Sequence, residues 1–106
     1  MKVKIPREIK IAARDFTVGF NENLLRDEGN RGVTWWQKQE IKLASNLHPQ
    51  QLDVTFLHEY VHIIDEYWGR LGLNEETTIS LAEGLYQLLK DNLGIEFDWG
   101  NISEIQ

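Results

Sequence analysis

Hydrophobic positions recur along this chain with two different periods, and the change falls near residue 45. Before it, apolar and polar residues tend to alternate: weakly over Lys2–Ile5 and Glu8–Ala12, clearly from Phe16 to Phe20, and again from Val33 onward. Trp35, Gln37, Gln39, Ile41 and Leu43 share one side of that last run, with Trp36, Lys38, Glu40 and Lys42 on the other. Alternation of period two is the mark of a strand with one covered face. The N-terminal part is therefore expected to be extended and to form a mostly antiparallel sheet. The polar stretch Asn21–Asn30 is read as a loop or short helix, with Gly29 and Gly32 marking turns.

From Pro49 the period becomes helical. Proline suits a first helical turn, where its missing N–H has no partner to lose, and His48 then falls at the N-cap, a position it fills poorly. No Gly or Pro interrupts Gln50–Trp68, and Gly69 closes the segment. Val54, Leu57, Val61, Ile64 and Trp68 form one apolar face; Phe56, Tyr60, Ile63 and Tyr67 form a second. A helix apolar on two sides is predicted to be central and buried. A second helix is predicted from the N-cap Asn74 to about Asn92, before Gly94. Its apolar face is Thr78, Ile79, Ala82, Leu85, Tyr86 and Leu89, flanked by Leu81 and Leu88. The result is a single α+β domain spanning residues 1–106.

Composition narrows the function by exclusion. The chain is 42% hydrophobic and 26% charged, as globular proteins are. It has no Cys, no apolar run long enough to cross a membrane and no signal-like N-terminal stretch, so a cytoplasmic location is expected. A net charge of −6 without a basic tract argues against nucleic-acid binding. The four Trp are read as core residues rather than base-stacking platforms.

The chemistry lies in His58-Glu59-Tyr60-Val61-His62, in the gap between the two apolar faces of the first helix. All three histidines of the chain fall within residues 48–62. On a helix, His58 and His62 lie one above the other and can take two corners of a tetrahedral Zn²⁺. Glu59 is turned about 100° away, placed to hold the proton of a metal-activated water without ligating the metal. A third ligand is needed. With no Cys and no His after His62, a carboxylate is expected. Glu75 lies in phase with Ala82 on the core-facing stripe and is the first choice; Glu76, on the polar side with Glu83, is the alternative. A strictly antiparallel helix pair would set Glu83 nearer the level of His62, and a crossed pair would bring the start of the second helix there. Asp65 is expected to support an imidazole from behind.

These residues resemble the gluzincin type of zinc metallopeptidase. More narrowly, Ile41-Lys42-Leu43, then Leu47-His48-Pro49-Gln50-Gln51 and the His58–His62 motif, are similar to the strand–turn–helix of small peptidases of the ImmA/IrrE and minigluzincin groups. The stretch from Glu75 and Glu76 through Leu81-Ala82-Glu83-Gly84-Leu85 to Asn92 is similar to the second helix of short phage and prophage members; the likeness covers residues 33–92. The resemblance implies a small zincin-like domain with a buried HExxH helix and a following glutamate helix. Where ImmA/IrrE proteins usually carry the glutamate ligand, this chain has Ile79, which leaves the role to Glu75 or Glu76.

The expected function is zinc-dependent hydrolysis of a peptide or protein substrate, with His58, His62 and Glu75 holding Zn²⁺ and Glu59 as general base. The strand around Trp36–Leu43 would align an extended substrate, and Tyr86 would be available to an oxyanion. The rival expectation is a non-catalytic or latent zincin scaffold whose acidic C-terminal tail, through Glu96 or Asp98, closes the metal site.

Overall fold

The computed structural model describes residues 1–105. Strands β1 (Lys2–Lys4), β2 (Glu8–Ile11) and β3 (Arg14–Phe20) are followed by a short helix α1 (Leu24–Glu28) and strands β4 (Gly32–Trp35) and β5 (Glu40–Leu43). Two longer helices, α2 (Pro49–Ile64) and α3 (Glu75–Gln87), and a final strand β6 (Glu96–Asp98) complete the chain. The main sheet has the order β2-β3-β5-β4, and β1 pairs separately with β6.

The sheets are mixed rather than mostly antiparallel. β2–β3 and β4–β5 run antiparallel, but β3–β5 and β1–β6 run parallel. The cause is the excursion through α1 and β4: β4 takes the outer edge, and β5 turns back from it to lie beside β3 in the same direction. The run read as one strand from Val33 is therefore two strands joined at Trp36–Gln39. Both hairpins reverse on residues in the left-handed region that are neither Gly nor Asn: Ala12 (φ 52°) and Ala13 (φ 63°) in the first, Gln39 (φ 52°) in the second. Each such residue costs roughly 1–2 kcal/mol. At Gln39 hydrogen bonds to β3 offset this: its carbonyl accepts from Thr17 N–H at 2.9 Å and its side-chain amide donates to the Asp15 carbonyl at 2.8 Å.

α2 is the central layer. Leu52, Phe56 and Ile63 pack on Phe16, Val18, Ile41 and Leu43 of the sheet, with Ile5, Ile11 and Ile102 closing the core. On the opposite side Asp53, His58 and His62 all touch α3, and they bracket Val54, Leu57 and Val61 on the helix wheel. α3 turns fully buried Thr78 and Ala82 to this contact but leaves Ile79, Leu81 and Leu85 exposed, as is Leu88 just beyond it. His48 caps α2 after all, its Nδ1 accepting from Gln50 N–H at 3.1 Å; Asn74 caps α3, its Oδ1 accepting from Thr77 N–H at 2.8 Å. Both helices end in a π turn, Asp65–Gly69 and Leu88–Asn92. The first shifts the helical phase, so Trp68 leaves the apolar face and is 61% exposed. Trp35 and Trp36 are also partly exposed, so three of the four Trp are not core residues.

A residue overlooked in the sequence ties three elements together. Asp53, buried on α2, accepts from Tyr86 Oη of α3 at 2.7 Å and from Trp99 Nε1 after β6 at 2.8 Å. Burial, and then the bond to Asp53, hold the Tyr86 phenol above its ordinary range. Asp53→Ala strands both donors and is expected to cost about 3 kcal/mol, read from urea unfolding. Tyr86 has a further consequence at high pH. Above about pH 10 the unfolded chain has lost a phenolic proton that the folded chain keeps, so stability should fall as pH rises. Tyr86→Phe should flatten that fall; an unchanged alkaline slope would refute the assignment.

Candidate metal centre

His58 and His62 occupy adjacent turns of α2, as their spacing requires, and their Nε2 atoms face each other at 3.0 Å. Glu75, the first residue of α3, closes the group: Oε1 lies 2.8 Å from His62 Nε2 and Oε2 lies 3.3 Å from His58 Nε2. Among the described residues these three are the one group of His, Asp or Glu whose ligand atoms converge, all within 4.8 Å. Glu76 is exposed and outside it.

Glu75 reaches this level because of the connection between the helices. The second helix does run against the first, with Glu75 beside His62 and Tyr86 beside Asp53. About 9 residues of α2 are thus matched to about 11 of α3, roughly 14 and 17 Å of helix. The chain turns back through left-handed Arg70 and Gly72, so α3 starts level with His62 rather than beyond the end of α2. Asp65 organises this return and does not support an imidazole. Its carboxylate accepts from Leu71 N–H at 2.8 Å and Leu73 N–H at 3.1 Å.

Glu59 faces the sheet, not the imidazoles. It is 7% exposed, and its Oε1 accepts a hydrogen bond from Thr34 Oγ1 of β4 at 2.8 Å. Gly32 allows that approach: a Cβ there would lie 2.6 Å from Thr55 Cγ2 and 3.2 Å from Leu43 Cδ2. With one carboxylate oxygen engaged by Thr34, the other is left for a proton. Nothing in the alternating run around Thr34 signals its contact with α2, which only the packing of β4 on that helix creates.

The strand beside the centre is β4, not the Trp36–Leu43 stretch. β5 is covered on both edges, whereas β4 ends the sheet. The bond from Ala44 N–H to the Arg31 carbonyl sets the phase of the β4–β5 ladder. Val33 and Trp35 therefore bond inward to β5, and Gly32 and Thr34 turn their backbone groups to the free edge. A cavity of about 440 Å³ lies here, bounded by Gly32, Thr34, Trp36, His58, Glu59, His62 and Glu75. A second, of about 360 Å³, continues from His58, Glu59 and Glu75 to Val54, Ile79 and Glu83.

Comparison of the chain with protein-family models, curated proteins and solved structures found no match.

Two other sequence expectations are corrected. Tyr86 is bound to Asp53 and lies toward the far end of α3, so it is not presented to the His58–His62 group. Glu96 and Asp98 belong to β6, paired with Lys2 and Lys4 of β1, and Asp98 Oδ1 accepts from Gly100 N–H at 2.9 Å. Neither tail carboxylate is part of the metal group. No helix among the described residues is long and apolar enough to cross a membrane.

Proposed function

We propose that this chain is a zinc-dependent peptidase of gluzincin type. The observation that carries the reading is the convergence of two imidazole nitrogens and a carboxylate beside a buried glutamate and a free strand edge. The donor set fits the metal. Zinc bonds of about 2.0–2.1 Å set tetrahedral donors about 3.3 Å apart, and the separations here are 2.8, 3.0 and 3.3 Å. Three protein ligands, with no fourth side chain in the group, match a centre that keeps a position for chemistry.

Zinc, when bound, supplies the Lewis acid that acidifies water and polarises a carbonyl. His58, His62 and Glu75 hold it. Thr34 orients Glu59 through Oε1, so Oε2 can take the proton of water attacking the scissile carbonyl and pass it to the leaving amine. The outward N–H and C=O groups of Gly32 and Thr34 receive an extended peptide as an added strand. That docking runs the peptide backbone along the cavity that holds Glu59 and the ligand triad.

Incubation of the purified chain with one equivalent of Zn²⁺ and a complex peptide mixture tests this, with products read by mass spectrometry. New termini should appear, vanish on chelation and return when zinc is restored. Stoichiometric zinc without any new termini would leave a metal-binding scaffold and sink the enzyme reading.

A further inference from the structure

The opposite face of β4 carries a cavity of about 350 Å³, separated from the metal centre by the thickness of the strand. Alternation along β4 sends Thr34 toward Glu59 and sends Val33 and Trp35 to the other side, where Lys42 of β5 is the register partner of Val33. Lys42 is only 6% exposed as a residue, and Leu24 of α1 and Trp35 line the same cavity.

Lys42 is unusual among the charged residues. Its Nζ lies 4.4 Å from the centroid of the Trp35 ring, and Lys38 Nζ lies 4.3 Å from the same ring. Among the described residues no carboxylate oxygen lies within 4.0 Å of either ammonium. Lys42 buries its stem and brings its ammonium to the cavity with a ring face but no carboxylate beside it, so its charge is only partly offset within the protein. Two acids lie in the neighbourhood. Glu28 lines the cavity from α1; Glu40 shares Lys42's side of β5, but its Oε1 is buried without a partner and it does not line the cavity. The ammonium groups that flank Trp35 are therefore available to an incoming anion, in a chain whose net charge of −6 would otherwise repel one.

We propose that this cavity is a specificity subsite for an Asp or Glu side chain of a peptide lying along the free edge of β4. A strand added to that edge directs successive side chains to opposite faces. A residue next to one facing the metal centre thus faces Val33, Trp35 and Lys42. Lys42 supplies the inner charge, Trp35 the wall that holds it and Lys38 a second, outer charge. The inference deepens the peptidase reading and shares with it the docking edge, but not the metal.

The test uses octapeptides of mixed neutral residues carrying Glu at one position at a time, each with a Gln twin. Binding is measured by fluorescence-polarisation competition on the zinc-loaded Glu59→Gln protein, and cleavage on the zinc-loaded wild type. At one position the Glu peptide should bind about tenfold tighter than its twin or better, as for a hydrogen bond to a charged group. The preference should disappear in a Lys42→Met background, survive in Lys42→Arg, and be accompanied by a shift of the Trp35 indole N–H resonance. Equal binding of Glu and Gln peptides at every position overturns the subsite, and that comparison needs no Lys42 variant to fold. So does a preference that Lys42→Met leaves intact. Glu preference in binding without cleavage supports the subsite while removing the enzyme; cleavage without Glu preference does the reverse.

Discussion

Zinc-loaded Glu59→Gln is expected to cleave peptides about 10²–10⁴ times more slowly than the wild type, the usual contribution of a positioned general base. The substitution is chosen because the fold should not notice it. Glu59 is buried against β4 and accepts a hydrogen bond from Thr34; the glutamine carbonyl can accept the same bond with nearly the same shape. What it cannot do is take a proton. Zinc affinity and the unfolding midpoint should therefore stay close to wild type while turnover collapses. Wild-type turnover in a folded, zinc-loaded Glu59→Gln protein would remove Glu59 from the chemistry. If turnover collapses together with zinc affinity, the residue is acting on the metal instead.

The second large effect separates two adjacent glutamates. Glu75→Ala is expected to weaken zinc binding by more than about 100-fold, beyond what loss of a supporting contact to a ligand costs. Glu76→Ala should leave the affinity unchanged. Competition with a chromogenic chelator reads both. Each residue sits in the first turn of α3, so each loses the same small helix-dipole contribution, of about 0.3–1 kcal/mol. That shared cost cancels in the comparison and leaves the carboxylate's reach to the imidazoles as the difference. His62→Ala should match Glu75→Ala, because His62 Nε2 makes the shortest contact of the group at 2.8 Å. Equal zinc affinity in Glu75→Ala and wild type would mean that the carboxylate only neutralises the histidines.

The parts of this protein legible in its sequence are those decided within one helical turn or one strand. Residues four apart must share a helix face, so His58 and His62 meet whatever surrounds them. The start of α3 at its cap Asn74 and the two covered sides of α2 followed in the same way, from local periodicity. The second hairpin is illegible for an equally local reason. It turns on Gln39, which carries none of the usual Gly or Asn signal, so β4 and β5 read as one strand and the edge of the sheet is misplaced. Alternation groups Lys42 with Trp36, Lys38 and Glu40 but does not say whether that face is covered, and α1 and Trp35 cover Lys42.

Only the tertiary structure decided which glutamate meets the histidines. Glu75 and Glu76 differ by one residue, and the choice rests on the return of the chain through Asp65, Arg70 and Gly72, which sets the height of α3 on α2. Thr34 on Glu59, Asp53 on Tyr86 and Trp99, and the pairing of the acidic tail with the N-terminal strand are likewise contacts between residues 25 to about 90 positions apart. The sequence by itself determined that His58 and His62 share one helix face with Glu59 turned away from it, and that two helices follow the strands, because those follow from helical period. Their partners depend on how rigid elements pack and how the loops between them close, and that is settled by the free energy of the whole chain, not by any local pattern.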